Sequence, residues 1–522
     1  MTAPPLPAGF RVRTDPGARE LEPGLWFGGS PARILRMTEA GQAAWRELRA
    51  GPVGSRAAGA LARRLTDAGL AHPEPPAPAG PADVTVIVPA RDRAHLLDRC
   101  LAGLGGAGTV VVVDDGSADP EAVAAAAARH GATLIRRPRS GGPAAARNTA
   151  LASVTSDLVA FVDSDCVPGR GWVTALAAHF ADPLVAAAAP RITARAPDTW
   201  VGRYTAASGA LDLGGQAARV QPLSRVAYVP TAALVARRSA LLDIARDGQV
   251  FDEALRHGED VDLIWRLHEA GWRIRYEPAV EVGHTEPTTW AGLLRRRYRY
   301  GTSAAPLARR HPGAVPPLVL HPWPAATAAA VIARQPAVAV AAYAGSVVAM
   351  RRVLRRADIP RRGTARAMAS AAGQTWLGIG RYGAQFAAPL LAAALAGPTV
   401  APAGRRGPPG RTIGRRVMAG SLLLGSPLTA WAAGPRSLDP ARFVLGRLAD
   451  DIAYGLGVWS GCLAQRTAIP LRPVIARRPL RIDSAVPMVP EAPAARPRPA
   501  ATTRRATAAT TGTATTGTAG RR

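Results

Sequence analysis

Val84-Thr85-Val86-Ile87-Val88-Pro89-Ala90-Arg91-Asp92-Arg93 is an apolar run that ends in a proline and a charged turn. A second run, Thr109-Val110-Val111-Val112-Val113-Asp114-Asp115-Gly116-Ser117, stops on two carboxylates. A third, Leu158-Val159-Ala160-Phe161-Val162-Asp163-Ser164-Asp165, stops on two more. Between the last two stands Gly141-Gly142-Pro143-Ala144-Ala145-Ala146-Arg147-Asn148. Short β-branched runs without alternation read as strands buried on both faces. The Ala-rich stretches that separate them are long enough for helices. Alternating β and α predicts a parallel sheet, and ligands then sit outside the carboxyl ends of its strands. Three acidic strand ends and a Gly-Gly turn with Arg147 make a site for a nucleotide and a metal. No G-x-G-x-x-G follows the first strand, which argues against a dinucleotide-binding fold.

Downstream, His257-Gly258-Glu259-Asp260 leads into a helix on which Val261, Ile264, Trp265 and His268 share one face. Val280-Glu281-Val282-Gly283-His284 ends another strand. Asp163 and Asp165, two residues apart on a turn, can face one ligand, and hard carboxylate oxygens suit Mg²⁺ or Mn²⁺. Taken singly, an Asp after a strand is more often a turn residue, and Glu259 and Asp260 could simply cap their helix. Trp265 suits a sugar face or a core position equally.

Val-Pro-x-Arg, Asp-Asp-Gly-Ser, Gly-Gly-x-x-x-x-Arg-Asn, Asp-x-Asp and Glu-Asp, in that order over Val84 to Thr285, resemble the inverting family 2 glycosyltransferases of the GT-A fold. The resemblance implies a UDP-sugar donor and a metal, Mg²⁺ or Mn²⁺. It implies that Asp165 is the main metal ligand and that Asp163 meets ribose or metal. By the same resemblance Asp114 and Asp115 meet the nucleobase, and Arg147 contacts the nucleotide. Pro89 and Arg91 join the donor-binding set, and His284 is a candidate to complete the metal shell. Asp260 would be the general base that deprotonates the acceptor hydroxyl opposite the leaving diphosphate, with Glu259 beside it.

The 522-residue chain has room for two to four domains. Its net charge is +28, and all 65 basic residues are Arg. Arg in place of every Lys, with abundant Ala, Gly and Pro, reflects GC-rich coding and weakens charge as a functional signal. A basic chain suits anionic partners such as sugar nucleotides or acidic lipids. No nucleic-acid module is recognisable, and aromatics are too sparse for a stacking platform, so nucleic acid is not expected as a partner. Cys100, Cys166 and Cys462 are scattered, which fits neither a zinc site nor a disulfide framework and favours a reducing cytoplasm. No secretory leader is expected.

Residues 1–72 read as a small unit. Phe10-Arg11-Val12-Arg13 and Leu25-Trp26-Phe27 suggest strands, and Thr38 and Ser55 cap two helices that end at Gly51 and Gly69. This order resembles a winged-helix peptide-recognition module, with a purely structural extension as the alternative. Residues 73–82 read as a Pro-rich linker and 83–312 as the GT-A domain. Residues 313–473 form an Ala/Arg-rich helical region whose charge-poor runs at 316–350, 383–403 and 418–433 are marginal as membrane spans. Arg351-Arg352, Arg355-Arg356 and Arg361-Arg362 fit a cytoplasmic flank. Leu293 to Gly301 is a basic helix suited to the diphosphate, to a membrane or to solvent. Residues 474–522 are expected to be a disordered tail.

The whole layout, from Leu6 to Pro473, resembles the glycosyltransferase family of mycofactocin systems. That implies addition of β-1,4-linked glucose from UDP-glucose to a peptide-derived redox cofactor; the apolar C-terminal runs add the expectation of a cytoplasmic enzyme at the inner face of the cell membrane. Other readings are a membrane-associated transferase acting on a polyprenyl phosphate or cell-wall glycan, and a degenerate module that only binds the precursor peptide.

Overall fold

The computed structural model describes residues 3–77, 80, 82–396, 409–476 and 481–483. The tail expected to be disordered over 474–522 departs from that at its start, where backbone pairing orders it. Val474–Ile475 runs parallel to Val319–Leu320 and Arg481–Asp483 parallel to Arg33–Arg36, while residues 477–480 and 484–522 lie outside the described residues. At the centre is a nine-stranded mixed, mostly parallel sheet of GT-A type. Val84–Ala90 is its middle strand, with Thr109–Asp115 and then Thr133–Arg137 on one side, all parallel. On the other side come Leu158–Val162, antiparallel Ala233–Arg237, Val185–Arg195, Arg273–Thr285 and the short Cys166–Pro168. Ala218–Val220 adds to Arg273–Thr285.

The continuous apolar runs fold as their composition demands. Val84, Val86, Ile87, Val88 and Ala90 are all buried, as is every residue of Leu158–Val162. The chain order reverses at Val84–Ala90, which makes the gap towards Leu158–Val162 the switch point of the sheet. Pairing between these two strands ends at Ile87 and Phe161, whereas pairing with Thr109–Asp115 continues to Ala90. Pro89, with no N–H to give, lies beyond the last rung on the open side. The strands part there and leave a crevice at their carboxyl ends.

The N-terminal unit departs from the expected two strands. The helices Glu39–Ala50 and Arg56–Ala68 form where Thr38 and Ser55 cap them. The strands number five: Arg11–Thr14, Arg19–Glu22, Leu25–Gly28, Arg33–Arg36 and Ala71–Glu74. Arg19–Glu22 is fully exposed, so it carries no apolar pattern to reveal it. Ala71–Glu74 pairs with Arg11–Thr14, which draws the first proline of the expected linker, Pro73, into a sheet. The unit docks on the catalytic sheet through buried ion pairs. Arg63 donates twice to Asp182 at 2.7 Å, and Arg273 donates to both oxygens of Asp67 at 3.1 and 2.8 Å.

Between Arg191 and Ala227 the chain forms the helix Trp200–Ser208. The C-terminal region is mainly helical in its described residues: Pro322–Ile332, Pro336–Arg356, Thr364–Phe386, Ala388–Ala396, Pro409–Ala433 and Pro440–Ala464. Pro440–Ala464 lies along Trp290–Thr302, and glycines set the distance. A Cβ on Gly457 would meet Tyr298 O at 2.0 Å, and one on Gly301 would meet Tyr454 O at 2.2 Å. The basic helix is therefore not a solvated face. Arg297 is paired with Asp450, which also accepts from Tyr204 Oη at 3.0 Å.

Candidate active site

The crevice gathers the acidic strand ends. Beyond Val162 the backbone turns tightly, with Cys166 N–H donating to Asp163 O at 2.9 Å. The turn holds Asp163 and Asp165 partly exposed at the strand end, 34% and 27% by side chain. Cys166 pairs with His284 across the short antiparallel ladder, which brings that histidine to the same turn. His284 Nε2 lies 3.5 Å from Asp165 Oδ1, while Nδ1 lies 2.9 Å from Glu286 Oε1. Glu286 in turn accepts from Arg296.

Burial raises the Asp165 carboxyl, and Asp163 adds to the rise against the pull of His284. Burial lowers His284, but the hydrogen bond to Glu286 and the charge of Asp165 prevail and hold it above its ordinary value. Asp163, Asp165 and the Nε2 face of His284 are a donor set of the right chemistry for Mg²⁺ or Mn²⁺, with Glu286 orienting the imidazole from behind. Among the described residues no three such groups already stand at ligating geometry. A cation here would therefore need further oxygens from its ligand or from water.

Arg147, 2% exposed, runs beneath the turn. It donates to Asp163 Oδ1 at 2.6 Å and to Glu259 Oε1 at 2.9 Å, with its guanidinium over the Phe251 ring at 5.5 Å. The side chain expected to touch nucleotide instead ties the end of one strand to the start of the helix Glu259–Glu269. Gly258, at φ +85°, turns the chain into that helix. Burial opposes the charge of Arg147, yet Asp163, Glu259 and Asp260 keep it raised.

Asp260 differs from its neighbour. Among the described residues it accepts only from Val261 N–H, at 2.8 Å. Burial first, and then the adjacent Glu259, push its carboxyl up to about 7. Tyr228 and Tyr300 stand within its field; burial raises both phenols, and Asp260 adds to the rise.

On the other flank, Asp115 accepts from Ser140 Oγ at 2.7 Å and from the N–H groups of Gly141 and Gly142 at 3.0 and 2.8 Å. Arg137 Nε adds a contact at 2.9 Å. Asp115 thus holds the Gly-Gly turn that launches the helix Pro143–Leu151. Asp114 is fully buried; Oδ1 accepts from Ser117 N–H at 3.0 Å, while Oδ2 has no hydrogen bond and lies 3.5 Å from Arg136 Nε. Arg91 is exposed beside them and donates to Ser140 Oγ at 3.0 Å. Trp265 is a core residue, 4% exposed, donating to Ala227 O at 2.8 Å.

Tyr228, Glu286, Arg296 and Tyr300 were not foreseen from the sequence. Glu286 had a faint signal, since it stands two residues past His284 and exits the strand on the same side. The tyrosines had none, because only the packing of distant helices brings them to Asp260.

Comparison with known proteins bears on the same residues. Residues 81–303 match the family described as "Glycosyltransferase like family 2". The chain is 39% identical over 495 residues to the pre-mycofactocin glycosyltransferase of Mycobacterium tuberculosis (strain ATCC 25618 / H37Rv), covering 91% of this chain and 100% of that protein. An N-acetylglucosaminyltransferase of Rhizobium meliloti (strain 1021) is 30% identical over 234 residues, 42% of this chain and 55% of that one. Among solved structures, a mannosyltransferase from Pyrobaculum calidifontis in complex with GDP-Man and Mn²⁺ is 22% identical. It covers 57% of this chain and 89% of that chain, at a TM-score of 0.35.

Proposed function

The chain belongs to the pre-mycofactocin glycosyltransferases, and from that premise we propose that it moves glucose from UDP-glucose to pre-mycofactocin, with inversion, and extends the product as a β-1,4-glucan. It is a nucleotide-sugar glycosyltransferase with a family 2 domain. The observation that carries the mechanism is the contrast at Glu259-Asp260. Glu259 is neutralised by Arg147, whereas Asp260 has no cation partner among the described residues and titrates near neutrality, pushed up to about 7. A carboxylate of that kind matches the work of a general base, whose best pKa lies near the working pH.

In this reading Asp260 takes the proton of the acceptor hydroxyl as that oxygen attacks the anomeric carbon. Asp165, with Asp163 and His284, holds the divalent ion, which when bound stabilises charge on the departing UDP. Arg147 is a positioning residue, since it fixes Asp163 and Glu259 rather than meeting the nucleotide itself. Asp115 holds the Gly-Gly turn in place by accepting from its N–H groups, and Asp114, Asp115, Pro89 and Arg91 border the nucleoside. The exposed edge strand Arg19–Glu22 suits capture of the precursor peptide as an added strand.

The enzyme works at the inner face of the membrane. Exposed Val338, Val340 and Leu390 in charge-poor runs support this, as do exposed Ile413 and Val417 interleaved with arginines. So does Pro336–Arg356, the one helix among the described residues long and apolar enough to cross a bilayer. The deciding experiment incubates purified protein with pre-mycofactocin and UDP-glucose, with Mn²⁺ or with a chelator, and follows acceptor mass. Stepwise hexose addition only with metal is the expected result. Transfer to a polyprenyl phosphate in preference to pre-mycofactocin would overturn the acceptor assignment.

A further inference from the structure

A cavity of about 500 Å³ opens between the catalytic domain and the C-terminal helices, which enclose it together. Tyr228, Ser208 and Arg297 form its inner wall. Arg381 comes from the helix Thr364–Phe386, and Arg447, Asp451 and Tyr454 come from Pro440–Ala464. Tyr228, which lines the cavity with Tyr454, links it to the reaction centre, since its phenol lies within the field of Asp260. A narrower space lined by Glu286, Arg296 and Tyr300 shares Ser208 and Arg297 with the cavity and leads towards the Asp165 turn.

The outer wall is held firmly. Gly455 packs so closely that a Cβ would lie 1.7 Å from Gln385 O, and Gly457 and Gly461 approach Trp290–Thr302 in the same way. The polar groups of the wall are only partly matched. Asp451 is shared by Arg381 at 3.3 Å, Arg447 at 3.3 Å and Gln385 Nε2 at 2.8 Å. Two guanidiniums against one carboxylate leave one positive charge facing the space, and Arg381 is 47% exposed. Aromatic faces with multidentate donors suit hydroxylated rings, and such a lining disfavours a long hydrocarbon chain.

The geometry points to this cavity as the acceptor chamber. Tyr228 and Tyr454 stack on a flat or hydroxylated ring, and Arg381 and Arg447 bind its oxygen substituents. The C-terminal helices are then specificity-determining parts of the enzyme rather than an accessory anchor. The inference rests on the reading of Asp260 as base and of a small polar acceptor.

Two full-length variants test it, Arg381→Gln and Tyr454→Ala, each assayed with pre-mycofactocin and with its monoglucosylated product. The expected result is a rise of about tenfold or more in acceptor KM with a much smaller change in kcat. The UDP dissociation constant, measured with Mn²⁺, should stay within about twofold and reports that the donor half is folded. A rise with only one acceptor assigns the contacts to the aglycone or to the first sugar, and both outcomes support the chamber. Unchanged KM for both acceptors in Arg381→Gln, whose half-exposed side chain can be replaced without unfolding, overturns it. If the parent protein glycosylates neither compound, the functional reading fails by itself. The chamber is then decided by calorimetric titration with p-nitrophenyl β-glucoside. Binding to the parent that weakens in both variants sustains it, and no binding to the parent overturns it.

Discussion

At the scale of single residues the site is a contrast between carboxylates that are neutralised and one that is not. Asp260→Asn keeps shape but cannot take a proton, so single-turnover transfer should fall by about 10²- to 10⁴-fold while UDP affinity holds. Glu259→Gln should cost less in rate. Near-normal transfer by Asp260→Asn would remove it as the base. With the Asp260 carboxyl pushed up to about 7 in the free enzyme, kcat/KM should climb as pH rises through about 7 and level off above. The same shift has a stability consequence of opposite sense. The folded-state value is raised above the ordinary aspartate value of 3.8, so ionising Asp260 costs stability. The cost is absent below about pH 4, grows as pH rises, and is complete above about pH 7. Asp260→Asn should therefore raise Tm at pH 8, by an effect of roughly 1–3 kcal/mol, and leave it nearly unchanged at pH 4. Arg147→Met should act in the other direction. It strands Asp163 and Glu259 without a counter-charge, and breaking a buried pair of this kind costs about 3–5 kcal/mol. A thermal melt that stays within a degree of the parent would show that Arg147 is not the tie described.

At the scale of elements, the contact between Trp290–Thr302 and Pro440–Ala464 decides whether the cavity lined by Tyr228 and Tyr454 exists. Gly457→Ala would push a Cβ to 2.0 Å from Tyr298 O, in backbone that cannot swing away. We expect a Tm drop of several degrees, with transfer impaired more than UDP binding. Gly373, exposed on the helix Thr364–Phe386, has open space where its Cβ would go. Gly373→Ala should stabilise the protein by about 0.5–1 kcal/mol through lower unfolded-state entropy. If both substitutions act alike, close approach is not what the glycines of Pro440–Ala464 provide.

At the scale of the whole molecule, the catalytic domain and the apolar C-terminal helices proposed to meet the membrane share one body. A chain cut at Gly313 would lose Pro440–Ala464 and with it the buried partners of Trp290–Thr302, so truncation cannot separate the two roles. Replacing exposed Leu390, Ile413 and Val417 by Ser should shift the protein from pelleted membranes to the supernatant without changing UDP binding. An unchanged distribution would leave those helices as ordinary packing elements. The sequence alone determined the GT-A sheet, because unbroken runs such as Val84–Ala90 and Leu158–Val162 can be buried only on both faces. It also determined the caps at Thr38 and Ser55 and the positions of the acidic strand ends. Only the tertiary structure decided what those ends do to one another. Arg147 reaches Glu259 across 112 positions of chain, Asp450 meets Tyr204 across 246, and Tyr454 reaches the neighbourhood of Tyr228. Such partners leave no local pattern, since a hydrogen bond or a shared field depends on distance in space, and spacing along the chain fixes that distance only within a helix, a strand or a turn.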